Sequence, residues 1–265
     1  MNKKAIFFDV DGTLIDRQDN IHEATEKTKE IIRRMNDLGH YPIVSTGRPM
    51  CMINENIRSI GFKNFLSSGG NYVVINGEVI YSCEMNKERL KKALEDAIEL
   101  GLALYFENNE KCFVSPRVKN KMLFDFMDRV GVDIFEITED INDVPIYKAN
   151  LLWKNKRAFD LFHKKYKDEF NFAVFAGNNG STDMIAKGSS KATGATKVLE
   201  TLNIDIKDAY AIGDSHNDVE IIQMVGHGIA MGNGIEEVKR VAEVVTKSVK
   251  EEGIFEAFKD MEWLK

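Results

Sequence analysis

The stretch FFDVDGTLID, residues 7–16, decides the reading of this chain. An apolar run stops at Asp9, a second carboxylate follows at Asp11, and the chain turns through Gly12 and Thr13. A strand that only had to leave a sheet could do so with one acid and one glycine. Two carboxylates held close together repel, so the pair implies something that both serve. The run AIFFDV has the length and composition of a short buried strand. The acids therefore stand at the carboxyl end of a strand, the end at which open parallel sheets bind ligands.

Working outward, strand-like and helix-like segments alternate. Residues 22–38 carry Ile31, Ile32, Met35 and Leu38 at helical spacing, with Gly39 as the stop. YPIVSTG (41–47) reads as a second strand and 50–60 as a helix. NFLSS follows, then YVVI and VIYS joined by Asn76-Gly77, a strong hairpin signal. From residue 83 a second alternating set begins, with helices at 86–100, 117–130 and 156–168. Its strands are LALYF, KCFVS, IYKANLLW, NFAVFA and STDMIA, the last two joined by the turn-rich GNNG (177–180). After residue 184 the first style returns: helices at 191–202, 216–224, 235–242 and 252–262, strands AYAIGD, HGIAM and AEVVT. Such alternation predicts an α/β fold with a parallel sheet. The simplest architecture is one α/β core built from residues 1–82 and 184–265, interrupted by an inserted α/β domain at 83–183.

Bulk properties narrow the function. The chain has 265 residues, 43% of them hydrophobic, enough for a sizeable core. A net charge of −6 argues against a nucleic-acid partner. Cys51, Cys83 and Cys112 are far apart and odd in number, which argues against a disulfide framework or structural zinc and for reduced thiols in the cytoplasm. The N-terminus lacks the apolar run of a signal peptide, and nothing approaches the ~18 apolar residues of a membrane span. The oligomeric state is left open.

Four polar clusters fall at strand ends or helix starts of the predicted core: Asp9, Asp11 and Thr13; Ser45, Thr46, Gly47 and Arg48; Lys191; and Asp214, Ser215, Asn217 and Asp218. Each alone has a bland reading, as a turn, a solvated lysine or a capped helix. Together, in one sheet, they converge on one crevice. Asp9, Asp11 and Asp214 are hard oxygen ligands without a His or Cys partner, a set that suits Mg²⁺ rather than zinc. Lys191, the Thr46 hydroxyl and the Thr46-Gly47 backbone N–H groups would hold phosphate oxygens. Asp9, kept ionised by Mg²⁺ and Lys191, would attack phosphorus; Asp11 would give a proton to the leaving oxygen and take one from water. His216 reads as a solvent-facing loop residue, and the other histidines have no sequence partner.

These residues resemble the four motifs of the haloacid dehalogenase-like superfamily: Asp9-Val10-Asp11-Gly12-Thr13, Thr46-Gly47-Arg48, Lys191 and Gly213-Asp214-Ser215-His216-Asn217-Asp218. Their spacing is similar to that of its Cof-type hydrolase branch, which has a large α/β cap between the second and third motifs. The tail GIAMGNGIEEVKRVAEVVT (228–246) with EEGIFEAF (251–258), and the helix start GSSKATGATKVLE (188–200), also resemble that branch. The resemblance implies a Rossmann-like core and a Mg²⁺-dependent phosphatase acting through an aspartyl-phosphate. Carried over, Asp9 is the nucleophile and Asp11 the general acid/base. Thr46, Gly47, Lys191 and Asn217 bind the phosphoryl group. Asp9, the Asp11 backbone carbonyl and Asp214 hold Mg²⁺, with Asp218 behind them or reaching it through water. Asp183 matches an acidic position before the lysine motif. Two positions depart from the branch: Gly69-Gly70-Asn71 stands for its usual Asn-Gly-Ala, and Ala192 for a glycine.

Alternation in IYKANLLW puts Tyr147, Ala149, Leu151 and Trp153 on one face, with Trp153 in the core of the inserted domain. Lys148 and Asn150 lie on the other face, directed at the crevice or, equally, at solvent. The expected substrates are small phosphorylated metabolites, either sugar phosphates or a phosphorylated cofactor such as pyridoxal phosphate. A phosphomutase using the same intermediate is the alternative enzyme, and a phospho-accepting signalling module the non-enzymatic one.

Overall fold

The computed structural model describes residues 2–175 and 180–264. In chain order the first block comprises β1 (Ala5–Phe8), α1 (Glu26–Asp37), β2 (Tyr41–Ser45), α2 (Glu55–Arg58), β3 (Asn64–Ser67), β4 (Tyr72–Ile75) and β5 (Glu78–Ser82). The insertion comprises α3 (Lys87–Glu99), β6 (Ala103–Glu107), β7 (Cys112–Val114), α4 (Lys121–Val130), β8 (Phe135–Ile137), β9 (Lys148–Trp153), α5 (Lys156–Tyr166), β10 (Phe170–Phe175) and β11 (Gly180–Ala186). The last block comprises α6 (Lys191–Leu202), β12 (Ala209–Gly213), α7 (Val219–Met224), β13 (His227–Ala230), α8 (Glu236–Val241), β14 (Val244–Val245) and α9 (Gly253–Phe258). Of the predicted GNNG turn, 177–179 lie outside the described residues. Among the described residues no helix is long and apolar enough to cross a membrane.

The chain divides into two compact units, one of residues 1–47, 53–81 and 190–265, the other of 48–52 and 82–189. The first unit holds an eight-stranded sheet in the order β14-β13-β12-β1-β2-β3-β4-β5. From β14 to β3 the strands run parallel. β4 reverses against β3, because the connection between them is too short for a crossover helix. β1 is buried along its whole length, as a central parallel strand covered on both faces must be.

Helix starts differ from the predicted ones for one recurring reason. Thr25 accepts a hydrogen bond from the Thr28 N–H, so α1 begins at Glu26 rather than near 22. The segment predicted as one helix at 50–60 is a short turn at Met50–Met52 followed by α2, which Asn54 caps by accepting from the Ile57 N–H. Asn120 likewise starts α4 four residues later than the apolar pattern suggests.

The second unit carries a six-stranded sheet, β10-β11-β9-β6-β7-β8, antiparallel except for the β7/β8 pair. β11 runs to Ala186, so this unit continues past residue 183. Trp153 lies in its core as expected, 3% exposed and stacked on Phe159 at 4.0 Å. The reading that directs Lys148 and Asn150 at solvent fails: they are 4% and 8% exposed. In the register, Lys148 pairs with Glu107 and Asn150 with Asp183. Lys148 Nζ lies 2.9 Å from Glu107 Oε2 and 2.9 Å from Asp183 Oδ1, and Asn150 Nδ2 donates to Asp183 Oδ1 at 2.8 Å. Asp183, which the motif comparison attaches to the lysine motif, thus belongs to an ionic cluster of the second unit. Burial works against the Lys148 charge, yet Asp183 and Glu107 outweigh it and raise its pKa.

Removing that cation would leave two buried carboxylates without a counter-charge. Lys148→Ala should therefore destabilise the protein by about 3–5 kcal/mol, read as a lowered urea midpoint. An unchanged midpoint would show that the cluster adds nothing to stability.

Candidate active site

The site of the first unit is built at the carboxyl ends of β1, β2 and β12 and at the start of α6. Asp9 follows β1 directly, and its N–H continues the ladder to the Ile212 carbonyl at 3.0 Å. Lys191 is the first residue of α6, and Ser190 caps that helix with a reciprocal pair of bonds to Thr193. The helix start can approach the sheet closely because Gly70 lies against it: a Cβ on Gly70 would stand 2.1 Å from the Ser190 carbonyl oxygen.

Three carboxylates and one ammonium meet here. Lys191, 1% exposed, donates from Nζ to Asp9 Oδ1 and to Asp218 Oδ1, both at 2.6 Å. Asp9, Asp214 and Asp218 each offer an oxygen within 4.8 Å of the others. The Asp214 carboxylate lies beside that of Asp9 and accepts from Thr13 Oγ1 at 3.3 Å. Asp218 has both oxygens engaged, Oδ2 accepting from the Asp214 and Ser215 N–H groups at 3.2 and 3.1 Å. Asp218 therefore fixes the 214–218 loop, while Asp9 and Asp214 face one another. Gly12, at φ +93°, lets the first loop close on the second: a Cβ there would stand 2.2 Å from Asp214 Oδ2.

The electrostatics follow from burial. Burial pushes the Asp9 carboxyl well up, Asp218 and Asp214 push the same way, and Lys191 opposes them. Burial, then Asp218, raises Asp214 to about 7. For Lys191 burial disfavours the charge, but Asp218 and Asp9 more than compensate and raise its pKa. Carboxylates buried this close together need a shared proton or a cation between them. The all-oxygen donor set, with one lysine against three acids, fits a hard divalent cation.

The remaining expected residues sit differently. Asp11 stands outside the carboxylate cluster, its side chain 50% exposed and 3.9 Å from Arg17 Nε. Thr46 is buried just after β2, where its N–H donates to the Leu66 carbonyl at 2.8 Å. Gly47 follows it as the last residue of this stretch of the first unit. Asn217 accepts from Ser215 Oγ at 2.8 Å, and neither bonds Lys191. His216 is exposed and pairs with Glu237 at 2.9 Å. Asn233, quoted above only as part of the tail, reaches this loop system: its Nδ2 donates to the Gly12 carbonyl at 2.8 Å. Nothing local in the sequence marks that contact, since 221 residues separate the two.

Residues 6–258 match the family of haloacid dehalogenase-like hydrolases. The chain belongs to that family. It is an enzyme, a phosphoric monoester hydrolase of the haloacid dehalogenase-like type. Among haloacid dehalogenase-like relatives, YkrA of Bacillus subtilis (strain 168) is 33% identical, over the whole of both chains. The 5-amino-6-(5-phospho-D-ribitylamino)uracil phosphatase YcsE of the same organism is 27% identical, over 97% of this chain and 94% of its own. The crystal structure of a hypothetical protein from Geobacillus kaustophilus HTA426 superposes with a TM-score of 0.86 at 35% identity, covering 99% of this chain and 100% of that one.

A carboxyl raised from 3.8 to about 7 binds more protons folded than unfolded. Stability of the metal-free protein should therefore fall as pH rises from about 4 to 7, as the Asp214 proton is lost from a site that favours it. Mg²⁺ should raise the melting temperature increasingly over the same range. A Mg²⁺ effect independent of pH would mean that Asp214 is not titrating in the cation site.

Proposed function

We propose that the protein is a Mg²⁺-dependent phosphatase of the Cof-type branch, hydrolysing small phosphorylated metabolites through an aspartyl-phosphate on Asp9. The observation that carries this reading is the buried chain Asp9–Lys191–Asp218 with Asp214 against Asp9. It fixes one carboxylate oxygen by an ammonium and leaves the carboxylate beside a second acid, an arrangement suited to a nucleophile that shares a cation. Mg²⁺ held by Asp9 and Asp214 would neutralise those carboxylates and the phosphoryl group.

In the proposed reaction an Asp9 oxygen attacks phosphorus and the bond from phosphorus to the ester oxygen breaks. Asp11 gives its proton to that oxygen, and the alcohol leaves. Water then attacks the phosphorus of the aspartyl-phosphate, Asp11 takes the water proton, and Asp9 is restored with release of inorganic phosphate. Lys191 orients Asp9 and offsets negative charge on the phosphoryl oxygens. The Thr46 hydroxyl, Gly47 and Asn217 complete its binding. The half-exposed side chain of Asp11 suits a group that must exchange protons with both leaving group and water.

Substrate selection we assign to the second unit. Its buried cluster includes Asn150 Oδ1, an acceptor with no hydrogen-bond partner among the described residues. Sugar phosphates and pyridoxal phosphate remain candidate substrates. The relationship to YcsE adds a phosphorylated ribityl compound to the set.

Phosphate release from a panel of such esters, with and without Mg²⁺, tests the reading. Asp9→Asn should abolish release and Asp11→Asn should nearly do so, both with native folding. Full turnover in either variant would sink the mechanism. Asn150→Ala should raise KM for the best substrate several-fold, with kcat within about twofold. Unchanged kinetics would remove Asn150 from substrate selection.

A further inference from the structure

Gly12 lies between Asp11, the second acid of the first loop, and Thr13, and glycine is the residue with the widest backbone freedom. Its conformation decides where Asp11 and Thr13 stand relative to Asp214. On its N-terminal side the peptide is held by the Gly12 N–H, which donates to the Ile15 carbonyl at 2.7 Å. On its C-terminal side the local ties are long: the Thr13 N–H to the Val10 carbonyl and Thr13 Oγ1 to Asp214 Oδ1, each at 3.3 Å. The short bond on that side comes from Asn233, whose Nδ2 donates to the Gly12 carbonyl at 2.8 Å.

Asn233 is itself held from behind. Its Oδ1 accepts from the Val249 N–H at 3.1 Å, and the neighbouring Gly232 N–H donates to the Lys247 carbonyl at 3.0 Å. The same loop grips the second acidic loop through main chain, the Ile235 N–H donating to the Asp214 carbonyl at 2.9 Å and the Met231 N–H to the Gly213 carbonyl at 2.9 Å. One side chain thus connects the Asp9–Thr13 loop to the segment that already fixes the Asp214 loop.

We infer that Asn233 is a positioning residue: its amide sets the Gly12–Thr13 peptide plane and with it the placement of Asp11 and Thr13 against Asp214. This rests on the phosphatase reading above. It does not touch the reacting atoms. A displaced catalytic group costs turnover far more than ground-state binding, by up to about a hundredfold for a shift near 1 Å. An exposed side chain with only a structural role would instead lower stability slightly and leave kcat alone.

Two variants separate these roles. Asn233→Ala removes both bonds. Asn233→Asp keeps the acceptor for the Val249 N–H and loses the donor to Gly12. Both are expected to lower kcat at least about tenfold with KM within about twofold, assayed beside the wild type and Asp9→Asn. Wild-type kcat in either variant would overturn the inference while leaving the Asp9 result, and so the phosphatase reading, untouched. If the wild type releases no phosphate from any ester, the phosphatase reading falls. Hydrogen exchange at the Gly12 and Thr13 amides then decides: faster exchange in both variants supports the bracket, and unchanged exchange overturns it.

Discussion

A lysine ammonium buried to 1% exposure must be met by opposite charge, and the rest of the first unit is arranged so that it is. Lys191 meets Asp9 from β1 and Asp218 from the loop after β12, which are neighbouring strands of the sheet. For the three side chains to converge, α6 has to begin against the sheet, which the close approach of Gly70 to Ser190 permits. Asp218 has to turn back on its own loop, which its bonds to the Asp214 and Ser215 N–H groups enforce. Breaking either support would strand a charge where water cannot reach it. The ion pairs therefore act less as a source of stability than as a demand that the surrounding backbone take one conformation.

The same cluster leaves an imbalance. One lysine serves two of three acids, and Asp214 is left beside Asp9 without an ammonium of its own. In a buried site that excess of negative charge is costly, and it is relieved by a proton or by a cation. A protein selected for stability alone would have no reason to keep the third acid. Its presence is the physical sign that the site is completed by something positive. The second unit shows the contrasting case. There Lys148 lies between Glu107 and Asp183 and contacts both, and Asn150 supplies Asp183 with a further donor.

Much of this was legible in the chain because the decisive residues stand at the ends of short apolar runs. Asp9, Thr46 and Asp214 are each the first or second polar residue after a strand, so pattern alone placed them at one edge of a sheet. Side-chain competition for backbone groups was harder to read. Thr25, Asn54 and Asn120 cap helices inside segments whose apolar spacing continues through them, so the predicted helices began too early or ran together. β8 is three residues long, too short to show a period. The alternation in β9 correctly divided its faces but not what covers them, which is why Lys148 could be taken for a solvated residue. The contacts that span the chain, Asn233 to Gly12 above all, leave no local trace.

The opening pair of acids finds its account in how differently the two are housed. Asp9 and Asp11 are two residues apart, and a continued strand would have put them side by side on one face. The strand ends at Phe8, before either acid, so the segment from Asp9 to Asp11 does not continue it and the two are housed apart. Asp9 is 5% exposed and bound to an ammonium; the Asp11 side chain is half exposed beside Arg17. Attack on phosphorus favours a carboxylate held still and shielded from water, whereas proton transfer to a leaving group and then from water favours one that both can reach. Ending a four-residue strand just before the pair creates both environments from neighbouring sequence, and this is what a single acid at that strand end could not do.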